Sequence, residues 1–269
     1  MNIKKALKFG SEKLKNSSTS VLDTEILLSF CLIKNKEWLF LNLDKKLNLK
    51  QVDLYKKLIS RRKKKEPITY ITNYKEFFGL DFYVDENVLI PRPETEILVE
   101  EALKFNKKKA KILDIGTGSG NIIISIGKNK KAGLYASDVS TQALKIARKN
   151  AQRHKVKVRF FKSNLFKNIP KISFDIVIAN LPYLDPKWIS EDLKYEPINA
   201  LDGGKDGLEI IEKFLKQVKK CLTKNGVILF EIDPRQSFQL KKLTKIYLSN
   251  KNINLIKDLA CLDRVVKIS

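Results

Sequence analysis

A chain of 269 residues, 43% of them hydrophobic and 9% aromatic, can bury one large core or a medium core with a small companion, and no stretch approaches the roughly 20 apolar residues of a membrane span. The N-terminus carries lysines but no apolar h-region and no small-residue cleavage site, so no secretory signal is read. A net charge of +23 invites a polyanionic partner, yet only eight of the 53 basic residues are Arg, the residue suited to bidentate phosphate contacts, and the Lys is spread along the whole chain.

Residues 1–72 contain no convincing strand. Val21, Leu22, Ile26, Leu27 and Phe30, then Val52, Leu54, Leu58 and Ile59, recur at helical spacing. They predict a small helical bundle whose first two helices part at the Ser/Asn-rich 16–20 and which Pro67 closes. The densest basic cluster, Arg61–Lys65, reads equally as solvated surface or as a contact. Residues 73–92 form a linker, in which EFFGLDFYV and NVLIP flank Asp85-Glu86-Asn87 and predict a β-hairpin turning there. Residues 93–269 are the larger domain, opened by a helix with Pro93 in its first turn and Glu94 and Glu96 complementing its dipole. Strands KILDI, LYASD, KVRFFK, FDIVIAN, GVILFEI and LDRVVKI then alternate with helices near 120–129, 140–154 (Ser140 as N-cap), 206–222 and 234–249. Buried strands alternating with helices predict a doubly wound, parallel α/β sheet, whose ligands bind beyond the carboxyl ends of the strands.

Cys31, Cys221 and Cys261 are odd in number and far apart, which excludes CxxC metal spacing and a paired disulfide framework and suits a reducing cytoplasm. The single histidine, His154, sits between Arg153 and Lys155 as an exposed helix end. Neither a Ser-His-Asp triad nor a His-rich metal site can be assembled.

Strand KILDI ends in DIGTGSG, spanning Asp114, Gly116, Thr117, Gly118, Ser119 and Gly120. The GxGxG spacing disfavours a dinucleotide, which needs GxGxxG, while the glycines let backbone approach a ligand closely. Asp138 ends the next strand, placed to accept both hydroxyls of a ribose. A glycine loop followed by such an acid resembles the class I S-adenosylmethionine methyltransferases, a Rossmann-like fold with a seven-stranded, mostly parallel sheet. That resemblance implies S-adenosyl-L-methionine as cofactor, with Asn164 and Leu165 beside its adenine.

Strand FDIVIAN runs into Asn180, Leu181, Pro182 and Tyr183. An amide, a backbone carbonyl and an aromatic ring converge there on a rigid turn. The tetrad resembles the (D/N)PPY motif of methyltransferases acting on amino or amide nitrogens. The resemblance implies that the Asn180 side-chain oxygen and the Leu181 carbonyl hold the two hydrogens of a planar nitrogen, orienting its lone pair, while Tyr183 packs against the target group. Asn180 is also implied in cofactor binding.

IPRPETE (90–96), DIGTGSGN, SDVSTQALKIARKNA (137–151), NLPYLD, YEPINALDGGKDGLEII (195–211) and LDRVV occur in that order behind a helical bundle. Together they resemble, over nearly the whole chain, the HemK/PrmC family of glutamine-N5 methyltransferases of peptide chain release factors. The family implies a target Gln in the Gly-Gly-Gln loop of bacterial class 1 release factors, recognition by the helical domain and its connection through the hairpin; a cytoplasmic monomer with no membrane contact and transient proximity to the ribosome is expected besides. Leu181 replaces the family's usual Pro, and NLPY is also how ribosomal RNA adenine-N6 dimethyltransferases spell the motif. EIDPRQ (231–236) stands where the family has EIGxxQ. A ribosomal-protein glutamine and an RNA or DNA adenine therefore remain alternative targets, and a binding module without catalysis a further one.

Overall fold

Short polar side chains start the N-terminal helices. In the computed structural model, which describes residues 1–269, Asn2 caps α1 (Ile3–Lys13) by accepting from the Lys5 N–H. After α2 (Ser20–Leu32), Asn35 caps α3 (Lys36–Leu41), and Asn48 with Gln51 forms a capping box on α4 (Leu49–Lys63). Leu27, Leu28, Leu39, Tyr55, Leu58 and Ile59 form the core of this unit, Met1–Tyr74. Of the apolar residues at helical spacing, Val21, Leu22, Phe30 and Leu54 face solvent instead. Pro67 does not close the bundle. Its fixed φ opens one more short helix, α5 (Ile68–Thr72). Within the basic cluster, Arg61 pairs with Glu66 and Arg62 with Asp23, so both charges are answered inside the unit.

The second unit, Lys75–Ser269, begins with a hairpin of β1 (Lys75–Phe77) and β2 (Leu80–Phe82). It turns at Phe78 and Gly79, both left-handed (φ 51° and 67°), and not at Asp85–Asn87 as the residue types suggested. The turn is set by packing. Phe77 and Phe82 are buried edge-to-face at 6.1 Å, and the Phe78 N–H donates to Glu96. Asp85 instead folds back on the Asn87 N–H, and NVLIP runs on without pairing as a strand. His154 is not a free helix end: Nε2 lies 2.8 Å from the Asp81 carbonyl, and the ring packs 5.2 Å from Phe82.

The remaining elements are α6 (Glu96–Leu103), β3 (Lys111–Ile115), α7 (Asn121–Asn129), β4 (Gly133–Asp138), α8 (Thr141–Arg153), β5 (Val158–Lys162), β6 (Phe174–Ala179), α9 (Glu209–Val218), β7 (Leu222–Glu231), α10 (Ser237–Tyr247), β8 (Ile253–Lys257) and β9 (Asp263–Ile268). They build a seven-stranded sheet of order β5-β4-β3-β6-β7-β9-β8, parallel except for β9. β8, an edge strand, was not legible as a strand in the sequence. β3, β4, β6 and β7 are the buried centre, which explains their uninterrupted apolar runs. The strand order reverses between β3 and β6, and this switch point is where such sheets bind ligands. No helix is long and apolar enough to cross a membrane.

Candidate active site

Ile115 and Ala179, the last residues of β3 and β6, are paired across the sheet, so the glycine loop and the NLPY turn leave it side by side. Gly116 takes a left-handed conformation (φ 73°) that a side chain would strain, and a Cβ there would lie in ordinary contact with Leu181 Cδ2 at 3.4 Å and the Asn180 carbonyl oxygen at 3.6 Å. The N–H groups of Gly116 and Thr117 both donate to the Ser137 carbonyl at 2.9 Å, tying the loop to the end of β4. Asn150, fully buried on α8, holds it from behind by donating to the Ser119 and Tyr83 carbonyls while accepting from the Tyr83 N–H, each at 2.9 Å.

A cavity of about 490 Å³ opens between these loops. Gly116, Thr117, Gly118, Ser119, Asp138, Asn164, Leu165, Asn180, Leu181 and Pro182 line it. Asp114 and Gly120 do not. Gly120, with φ 80°, starts α7, and a Cβ there would meet Ile124 at 2.8 Å. Asp114 is fully buried behind the loop, one oxygen accepting from the Thr117 hydroxyl at 2.6 Å and the other without a partner. Tyr183 also lies off the cavity wall, packed against the core.

The donor set fits a nucleoside cofactor. Each Asp138 oxygen accepts one backbone N–H, from Gly118 at 2.9 Å and Ser140 at 2.8 Å, and a carboxylate keeps further lone pairs for a diol. A Cβ at Gly118 would enter open cavity space, so backbone is presented there bare. Burial pushes the Asp138 carboxyl up against the pull of those two N–H groups. Burial likewise pushes Asp114 from 3.8 to about 7, which has a consequence for stability. Between those two values the folded chain keeps on Asp114 a proton that the unfolded chain has lost, so stability falls as pH rises from about 4 to about 7. The melting temperature of Asp114→Asn relative to wild type should therefore climb by roughly 5 °C between pH 4.5 and pH 8. Parallel curves in scanning calorimetry would show that Asp114 is ionised throughout.

The NLPY turn puts Asn180, Leu181 and Pro182 on the cavity wall. The Asn180 amide nitrogen donates to Thr95 Oγ1 at 3.3 Å and to Glu231 Oε2 at 3.2 Å, so its oxygen faces the other way. Thr95 donates to the same Glu231 oxygen at 2.6 Å, and the Tyr183 hydroxyl to Oε1 at 2.8 Å. Burial raises the Glu231 carboxyl, while the Thr95 and Tyr183 hydroxyls draw it back. The same burial, with Glu231 opposite, pushes the Tyr183 phenol up.

A strap, residues 184–208, runs along the far side. Pro197, Ile198, Asn199, Ala200 and Asp202 line the cavity. The strap is latched by Glu196, which accepts the Ile90 N–H at 3.0 Å and pairs with the Arg92 guanidinium. Its glycines lie against the NLPY turn. A Cβ at Gly203 would sit 2.8 Å from the Pro182 carbonyl oxygen, and one at Gly207 would collide with that of Tyr183. Gln236 donates to the Tyr183 and Asp206 carbonyls. Thr95, Glu231, Arg92 and Glu196 were not singled out individually from the sequence; the only signal was that they sit inside the distinctive strings PRPETE, EIDPRQ and YEPINALDGG.

Sheet order, with the glycine loop, Asp138 and the NLPY turn gathered at the switch point, defines the class I S-adenosylmethionine methyltransferase fold. The methyltransferase small domain matches residues 93–247, and the PrmC N-terminal domain matches 5–72. The release factor glutamine methyltransferase of Clostridium acetobutylicum is 38% identical, covering 99% of this chain and 98% of that protein. That of Buchnera aphidicola is 37% identical with 98% of each covered. The chain is also 35% identical to the bifunctional methyltransferase of Rickettsia felis, matching along its whole length but spanning only 58% of that larger protein. A Pyrococcus furiosus methyltransferase structure shares the fold, with a TM-score of 0.56 at 22% identity over 72% of this chain and 90% of that one. The chain belongs to the release factor glutamine methyltransferase family.

Proposed function

We propose that this protein methylates the side-chain amide nitrogen (N5) of the glutamine in the Gly-Gly-Gln loop of bacterial class 1 release factors. It would act as a cytoplasmic monomer that meets its substrate near the ribosome, with residues 1–72 recognising the release factor, 73–92 linking, and 93–269 carrying the chemistry. The observation that carries this reading is the pair of open acceptors at the turn. Asn180 Oδ1 and the Leu181 carbonyl have no hydrogen-bond partner within the chain, and both residues line the cavity.

The bound cofactor supplies an electrophilic methyl on a sulfonium. An amide nitrogen is a poor nucleophile because its lone pair is delocalised. Asn180 and Leu181 would accept its two hydrogens, turning the lone pair towards the methyl and raising electron density on nitrogen. Gly118 and Asp138 would hold the cofactor, with Asn164 and Leu165 beside its adenine. Tyr183 would shape the turn from behind by its hydroxyl on Glu231. Leu181 gives the same carbonyl as the Pro it replaces, and its side chain, buried against Gly116, supplies stiffness by packing.

Release factor, a ribosomal protein and ribosomal RNA offered in parallel with methyl-labelled cofactor test the reading. Label is expected on release factor glutamine alone. Label on RNA alone, favoured by the +23 charge, would overturn it.

A further inference from the structure

We propose that Glu231 is the positioning residue that sets the polarity of the Asn180 amide, committing its oxygen to the cavity; the step from polarity to turnover rests on the function proposed above. A primary amide is nearly symmetric in shape, and rotating it by half a turn would present a donor to the target instead of an acceptor. A donor facing an N–H₂ group cannot orient it. Something must therefore decide between two orientations of equal volume.

Glu231 makes that decision. It ends β7, is 2% exposed, and receives three donors: Thr95 Oγ1 and Asn180 Nδ2 on Oε2, Tyr183 Oη on Oε1. The Thr95 and Tyr183 hydroxyls each donate to one of its oxygens, so Glu231 presents acceptor lone pairs, and an Asn180 oxygen turned towards it would meet them. Thr95 completes the lock, since its proton is spent on Glu231 and it can only accept from Asn180. The four residues come from the start of α6, the end of β6, the turn after it and the end of β7. The buried carboxyl thus holds together the NLPY turn and two neighbouring elements as well as one side chain. A carboxylate one bond network away also polarises the Asn180 amide, enriching the oxygen that receives the substrate hydrogens.

The test is a double-mutant cycle on the full chain with Glu231→Gln and Asn180→Ala, reading kcat, cofactor Kd and melting temperature. The amide introduced by Glu231→Gln can present its own N–H₂ towards Asn180 and so permits the flipped orientation. Glu231→Gln should lower kcat roughly 10- to 100-fold, as loss of an orienting partner does, with cofactor Kd changed less than about threefold. In the Asn180→Ala background the same substitution should cost nothing further, because the side chain it orients is gone. An equal loss in both backgrounds would overturn the proposal and leave Glu231 a structural residue. Should Glu231→Gln unfold, Thr95→Val, which keeps the carboxylate and removes one strut, should show the same non-additivity with a smaller loss, and Thr95→Ser should restore it. A second measurement needs no acceptor: the Asn180 side-chain N–H₂ resonances, assigned by their disappearance in Asn180→Ala, should move in Glu231→Gln. Unmoved resonances would overturn the proposal. Failure of the release factor as substrate would instead appear in the wild type as label on another acceptor, and the cycle is then read on that acceptor.

Discussion

Asn180→Ala should lower kcat by about 10²–10³-fold while the cofactor Kd stays within a few-fold of wild type. The magnitude is that of removing one preorganised polar group from a transition state. The asymmetry follows from where Asn180 sits. Its nitrogen is used by Glu231 and Thr95, and Asp138, proposed to hold the cofactor, is on a different strand end. Truncation leaves the Leu181 carbonyl as the single acceptor, so the target nitrogen is held by one hydrogen and free to rotate. Single-turnover kinetics with saturating cofactor, beside equilibrium dialysis of the cofactor, separates the two quantities. Equal losses in both would mean that Asn180 serves the cofactor and that the methyl acceptor is oriented elsewhere.

Asp138→Ala should do the converse. A hydrogen bond to a charged group contributes about 1.5–3 kcal/mol, so loss of the diol acceptor weakens cofactor binding roughly 10- to 100-fold, with the rate at saturation largely restored. Part of the loss is structural, because Asp138 also accepts the Gly118 and Ser140 N–H groups. Asp138→Asn keeps one acceptor oxygen and should fall between wild type and Ala in calorimetric titration. A Kd unchanged in both variants would remove Asp138 from the cofactor site.

The parts of this site that are contiguous in the chain were legible in it. DIGTGSG and NLPY each place several cavity-lining residues within a few positions, and the switch-point rule says where such loops meet. The support behind them was not. Glu231 lies 51 residues from Asn180 and 136 from Thr95, and Glu196 lies 104 from Arg92; only folding makes them neighbours. Tyr183 was expected to face the target and instead lies behind the cavity wall, its hydroxyl drawn to a carboxylate whose position no spacing rule gives. The hairpin failed for a different reason. Asp-Glu-Asn has the composition of a turn, whereas Phe78 in a left-handed conformation does not. There the burial of Phe77 and Phe82 and the Glu96 carboxylate overrode residue preference. β8 escaped because a half-buried edge strand carries only a weak apolar pattern.

The sheet has two open edges, β5 and β8, and an unpaired strand edge is a template for another chain. Arg159 and Lys162 stand exposed on the first, while Lys257 on the second is paired with Asp263. Copies approaching edge to edge bring like charges together on a molecule already at +23. The net positive charge should thereby oppose strand addition. That opposition is electrostatic and is screened within about 3 Å at 1 M salt, so light scattering should show self-association growing as ionic strength rises.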